Sequence, residues 1–146
     1  MYAAVDIGGT KTLVAVFNGE GRVVEQSKFP TPKEYDEFLI QLADTVDKLS
    51  TDDFRSVGVA APGKIDHKQG LMTVAGNLPW RNTPLQADLE KVFHAPVRLE
   101  NDAKAATVAE ARAAGPNYPK VVYITISTGV GAGVCVDGKL VSALDD

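Results

Sequence analysis

Asp6, Gly8, Gly9, Thr10 and Lys11 lie in one short run, Tyr2-Ala-Ala-Val-Asp-Ile-Gly-Gly-Thr-Lys11. An apolar strand over residues 2–7 runs into the glycines, and a second strand over 12–17 follows at once. Glycine has no Cβ, so a turn built from two of them lets a ligand come close to the backbone. Asp6 is the one charge in an otherwise buried-looking strand, and burying a carboxylate is costly unless it is paired or coordinates something. Thr10 and Lys11 add a hydroxyl and a cation where an anion can sit against exposed amides. That chemistry suits the phosphates and magnesium of a nucleotide, with Asp6 the candidate for the metal side. The same residues also read as a plain Gly-Gly hairpin with a surface lysine. Strand, turn, strand is not strand, turn, helix, so neither the Walker loop nor the dinucleotide fingerprint applies.

A second glycine turn, Ser127-Thr-Gly-Val-Gly-Ala-Gly133, follows a β-branched strand. Amides around Gly129 and Gly131 with the hydroxyls of Ser127 and Thr128 would suit the other side of a polyphosphate. A strained hairpin bend with no ligand explains the same glycines. Asn101-Asp102 falls at a strand end and a helix start, where a carboxylate can meet a substrate hydroxyl as general base. Asp is equally a favoured helix N-cap. Glu100 and Asn101 beside it make three polar groups at the strand edge where open α/β sheets place ligands. In Gly76-Asn-Leu-Pro-Trp80 an aromatic and an amide suit a sugar ring; Trp80 also reads as an anchor for an irregular loop. Pro62-Gly63 either brings backbone to the same ligand or ends its strand.

The 146 residues are 45% hydrophobic and 23% charged, with a net charge of −4. Such a chain can bury roughly 70% of its unfolded surface, enough for a real core. The acidity argues against general nucleic-acid or membrane-surface binding. No apolar run reaches the roughly 20 residues of a membrane helix, and the start does not read as a signal peptide. A single cysteine, Cys135, permits no internal disulfide and reads as core in a reducing compartment. His67 and His94 lack metal-ligand spacing and read as surface or loop residues. Lys33, Glu34, Asp36 and Glu37 read as solvated helix charges. A cytoplasmic protein is expected.

Three strands, at 2–7, 12–17 and 22–29, open the fold, with Asn18-Gly-Glu-Gly21 as the second turn. Thr31-Pro-Lys-Glu34 reads as a capping box, Thr31 at the N-cap, for a helix carrying Tyr35, Phe38, Leu39, Leu42, Val46 and Leu49. A strand at 56–61 follows. Residues 64–82 read as irregular, with a short hairpin near 71–74. Thr83-Pro-Leu-Gln86 repeats the capping pattern for a helix ending near Phe93. A short strand at 97–99 precedes an alanine-rich helix that stops at Gly115-Pro116. This order gives an α/β domain with a mixed sheet. The pattern of residues 5–24 returns at 124–141: strand, Gly/Thr turn, strand, Asn-Gly or Asp-Gly turn, strand. A duplicated unit whose second copy is cut short is expected.

Together these motifs resemble the ROK family of repressors and sugar kinases, within the actin-like ATPase and sugar-kinase superfamily. The resemblance rests on Asp6-Ile-Gly-Gly-Thr-Lys11, Ala61-Pro-Gly63, Gly76-Asn-Leu-Pro-Trp80, Glu100-Asn-Asp-Ala103 and Ser127-Thr-Gly-Val-Gly-Ala-Gly133. It implies a ribonuclease-H-like fold, with a mixed five-stranded sheet flanked by helices and the first strands of a truncated duplicate lobe. Residues 1–118 would form the sugar- and phosphate-binding lobe, and 119–146 the start of the second. It further implies ATP-dependent phosphorylation of a hexose hydroxyl with Mg2+ entering on ATP, Asp102 as base, and Gly63, Asn77, Glu100 and Asn101 around the sugar. Asp6, Gly8, Gly9, Thr10, Lys11, Ser127, Thr128, Gly129 and Gly131 would line the phosphates. Lys104 stands where the family often has asparagine. The family's cysteine-rich zinc motif is absent, so zinc is not expected in this chain. A homodimer that binds neither nucleic acid nor membrane is expected. A non-catalytic sugar-binding lobe and a sugar-sensing regulator without its DNA-binding domain are the alternatives.

Overall fold

The computed structural model describes residues 1–126 and 130–141. Packing divides the chain into two compact units, Met1–Glu100 and Asn101–Asp146. The division falls one helix before residue 118, because the helix that follows Asn101 packs on the strands after it.

In the first unit, β1 (Tyr2–Ile7) pairs antiparallel with β2 (Lys11–Phe17), which pairs antiparallel with β3 (Val23–Pro30). Helix α1 (Tyr35–Asp47) leads to β4 (Ser56–Ala61), which lies parallel to β1. Three short strands, β5 (Lys64–Asp66), β6 (Leu71–Val74) and β7 (Arg81–Thr83), form their own antiparallel sheet. Helix α2 (Leu85–Phe93) and β8 (Val97–Asn101) complete a five-stranded mixed sheet in the order β3-β2-β1-β4-β8. The region at 64–82 is therefore more regular than its sequence suggests. Its strands are only three or four residues long, too short for periodicity to register.

Alternation builds the core. Ala3, Val5 and Ile7 of β1 and Val14 and Val16 of β2 are buried, and join Phe38, Leu42 and Val46 of α1 with Leu85, Leu89 and Phe93 of α2 in one cluster. Asp6 falls on the opposite phase of β1 and is exposed, so it is no buried charge. Neither capping box forms. Helix α1 starts at Tyr35 with Glu34 at the N-cap, and α2 starts at Leu85 with Pro84 there; neither N-cap side chain bonds the helix. Thr31 and Thr83 are both buried, and their hydroxyls satisfy backbone carbonyls elsewhere: Thr31 donates to Gly8 O at 2.8 Å and Thr83 to Met72 O at 3.4 Å. A buried carbonyl without a partner costs more than a helix end open to water.

Trp80 is 3% exposed and is an anchor, not a sugar-facing wall. Its Nε1 donates to Lys33 O at 2.7 Å, and its ring lies 4.7 Å from that of Phe38 and 5.3 Å from that of Tyr35. The Tyr35 hydroxyl donates to Asp88 Oδ2 at 3.1 Å, tying α1 to α2.

The second unit holds α3 (Asp102–Ala114) and an antiparallel sheet of β9 (Lys120–Ile126), β10 (Val130–Val136) and β11 (Lys139–Leu140). Asp137 at φ 50° and Gly138 at φ 74° make the tight β10–β11 turn that Asp-Gly signals. Cys135 is buried, as core. Val122, Ile124, Ile126 and Val130 are exposed on one phase of β9 and the start of β10, with Val130 opposite Ile126 in register. No described helix is long and apolar enough to cross a membrane.

Burial first, then the Asp88 carboxylate, push the Tyr35 phenol well above its ordinary range. A raised folded-state pKa gives stability that is fully present below pH of about 10 and is lost as pH rises beyond it. Tyr35→Phe should therefore flatten the alkaline loss of stability in urea titrations from neutrality to pH 11, at a neutral-pH cost of about 1 kcal/mol. The apolar β9 face should make the 146-residue chain self-associate. Light scattering should show smaller particles for Ile124→Lys with Ile126→Lys at unchanged helix content.

Candidate functional site

The β1–β2 hairpin is closed by Gly8 N donating to Lys11 O at 3.0 Å. A methyl group at Gly8 would sit 2.8 Å from that oxygen, which accounts for the first glycine without any ligand. Its carbonyls are held by the segment after β3. Thr31 Oγ1 donates to Gly8 O, Thr31 N donates to Thr10 O at 3.0 Å, and Lys33 Nζ donates to Gly9 O at 3.4 Å. Lys33 thus lies ahead of α1 and reaches the hairpin; it is not a helix charge. Asp6, Thr10 and Lys11 are exposed. A carboxylate, a hydroxyl and an ammonium open to solvent on one glycine hairpin form a donor set that fits a magnesium–phosphate group.

The second glycine serves a neighbour. A methyl at Gly9 would sit 3.0 Å from Asn77 Cβ and 3.6 Å from its Nδ2. Asn77 stands in the loop after β6, which turns on Leu78 N donating to Ala75 O at 3.0 Å, with the Ala75 and Leu78 side chains buried. The two motifs, 68 residues apart in sequence by 77 − 9, are in contact.

Gly63 has φ +97°, a conformation that side chains strain to adopt, and a Cβ there would land on the Val74 carbonyl oxygen. Its place at the mouth of β5–β6 is thus set by backbone packing. Glu100 is partly buried, with His67 Nε2 3.6 Å from its Oε1. His67 lies in the β5–β6 turn, so this histidine, which reads as an isolated loop residue, stands beside a candidate site residue. No local signal could have found it, since 33 residues separate the two by 100 − 67.

In the second unit, Asn101 is the N-cap of α3: its Oδ1 accepts from Lys104 N at 3.2 Å. The capping role that competes for Asp102 is therefore filled by its neighbour. Asp102 is the first helical residue, exposed, with Oδ1 accepting from Ala103 N at 2.8 Å. An acid in a first helical turn also meets the positive end of the helix dipole. Gly131 and Gly133 of β10 face α3. A methyl at Gly131 would sit 3.0 Å from Ala103 Cβ, and one at Gly133 would collide with Thr107 Oγ1 and sit 3.3 Å from Lys104 Cα. These glycines let the first turns of α3 lie close on β10. Ser127, Thr128 and Gly129 lie outside the described residues.

The model of the ROK family matches residues 2–144, and the chain belongs to that family. A glucokinase of Halalkalibacterium halodurans is 33% identical over 99% of this chain and 46% of its own length. An N-acetyl-D-glucosamine kinase of Citrobacter koseri is 36% identical over 95% of this chain and 47% of its own. The crystal structure of a ROK family glucokinase from Streptomyces griseus, in complex with glucose and AMPPNP, superposes with a TM-score of 0.84 at 34% identity. That match covers 97% of this chain and 46% of the other. The α/β architecture expected for this family is the one observed. The chain spans about half the length of the curated relatives it matches.

Gly133→Ala should push α3 off β10 and cost about 1–3 kcal/mol. Gly63→Ala adds backbone strain to a collision and should cost about 3 kcal/mol. Gly19→Ala, where a methyl meets nothing, should be neutral by comparison. Chemical denaturation of the three variants checks the ranking.

Proposed function

We propose that the protein phosphorylates a hydroxyl of a hexose, glucose or an N-acetylhexosamine, using ATP and Mg2+. Gly63, Asn77, Glu100 and Asn101 are assigned to the sugar. Asp6, Gly8, Gly9, Thr10, Lys11, Ser127, Thr128, Gly129 and Gly131 are assigned to the phosphate side. The lobe that binds both runs over residues 1–118, with 119–146 opening a second lobe.

The observation that carries this reading is the contact of Gly9 with Asn77. Phosphoryl transfer depends on positioning and charge neutralisation, and its donor and acceptor must meet nearly in line. A phosphate hairpin that touches a sugar-binding loop supplies that proximity. The similarity to glucokinases and N-acetylglucosamine kinases supports the same substrate class.

Asp102 is the general base. One of its carboxylate oxygens takes the proton of the sugar hydroxyl as the sugar oxygen bonds to the terminal phosphorus, and the bond from that phosphorus to the bridging oxygen breaks to release ADP. Asn101 supports this role by capping α3, which leaves the Asp102 carboxylate exposed at the helix start. Lys11 and the hairpin amides offset phosphate charge. Asp6 would hold magnesium, which when bound shields the phosphates from the incoming hydroxyl.

Asp102→Asn keeps the shape and removes the proton acceptor. Turnover with Mg-ATP and glucose or N-acetylglucosamine should fall by about 10²–10⁴, with hexose affinity unchanged. Near-normal turnover in this variant would remove Asp102 from the role.

A further inference from the structure

Thr12 and Thr31 are both buried, and their hydroxyl oxygens lie 2.9 Å apart. Thr31 Oγ1 also lies 2.8 Å from Gly8 O, which can only accept. A hydroxyl carries one proton. The Thr31 proton is therefore committed to Gly8 O, and the bond between the two threonines must be donated by Thr12. The result is a directed relay: Thr12 O–H to Thr31 Oγ1, then Thr31 O–H to the Gly8 carbonyl.

This relay sets peptide planes. There are no cis peptide bonds in the described residues, and in a trans peptide the N–H points opposite to the preceding C=O. Holding Gly8 O toward Thr31 therefore turns the Gly9 amide the other way. Holding Gly9 O toward Lys33 Nζ does the same for the amide of Thr10. Two neighbouring glycines have wide freedom in φ and ψ, so without these anchors the amides would sample many directions. A binding site whose donors are fixed before the ligand arrives avoids that ordering cost on binding.

We propose that Thr31, fed by Thr12, is a positioning residue that aims the Gly9 and Thr10 amides at a phosphate oxygen. The proposal rests on the reading that the hairpin binds phosphate. Thr31 touches no substrate in this scheme; it acts through the Gly8–Gly9 peptide. Thr12 explains itself in the same way: it is a fully buried hydroxyl on the phase of β2 that otherwise buries Val14 and Val16. A valine there would pack as well, so the hydroxyl has a polar task.

The test uses the 146-residue chain, labelled with 15N and titrated with Mg-ATP and separately with glucose. In the wild type, the Gly9 and Thr10 amide resonances should move on Mg-ATP addition. Thr31→Val, equal in shape but without the hydroxyl, should shift those two resonances in the ligand-free chain and weaken Mg-ATP binding about fivefold, the worth of one hydrogen bond. Glucose affinity should be unchanged, and Thr31→Ser should restore Mg-ATP binding. A merely structural threonine would lower the melting temperature without separating the two ligands. Should Thr31→Val fail to fold by circular dichroism, Thr12→Val, which removes only the distal donor, decides by the same readouts. Wild-type Mg-ATP affinity in the folded valine variant would overturn the inference while leaving phosphate binding intact. Absence of any Mg-ATP shift at Gly9 and Thr10 in the wild type would overturn both.

Discussion

A tight turn built on Gly8 and Gly9 leaves consecutive carbonyls that the β1–β2 ladder does not pair, and they must find donors elsewhere. That constraint organises the first unit. The carbonyls of Gly8, Gly9 and Thr10 are taken by Thr31 Oγ1, Lys33 Nζ and Thr31 N. The segment that supplies these donors is itself pinned, because Trp80 Nε1 donates to Lys33 O from inside the aromatic cluster of Tyr35 and Phe38. Hairpin, β3–α1 segment and the loop carrying Asn77 are thereby one connected object. The start of α1 is set late, at Tyr35, because Thr31 is spent on the hairpin rather than on a helix end.

The second unit solves a different packing demand with the same residue type. Helix α3 lies on β10 at a distance that only glycine at 131 and 133 allows. Thr107, fully buried, fills the space above Gly133 and satisfies its hydroxyl within the helix by donating to Ala103 O at 2.7 Å. The start of α3 then depends on a division of labour. Asn101 accepts the Lys104 amide, and Asp102 takes the first helical position with its carboxylate in solvent. Asp102 Oδ1 also accepts the Ala103 amide at 2.8 Å, within the same first turn.

Much of the fold was legible in the sequence, where local patterns suffice. The alternation in β1 and β2, the β-branched run of β9, the Asp137-Gly138 turn and the apolar periodicity of α1 each depend on near neighbours, and each formed. The capping boxes at Thr31 and Thr83 were misread for one reason. A buried threonine hydroxyl goes to the partner whose loss costs most, and that partner came from 23 residues away for Thr31, by 31 − 8, and 11 for Thr83, by 83 − 72. The exposure of Asp6 was open to the strand phase alone, since Val5 and Ile7 take the buried side.

For the candidate site the division is sharper. Residue types and their order determine which chemistry is possible: a carboxylate at a helix start, amides and a lysine on a glycine hairpin, an amide beside a tryptophan. Tertiary structure alone decided that Asn77 packs on Gly9, that Trp80 is an interior anchor, that His67 stands by Glu100, and that Asn101 caps α3. Those outcomes turn on which groups the folded chain brings side by side. Except for the cap of α3, the partners lie tens of residues apart, beyond the reach of any local pattern.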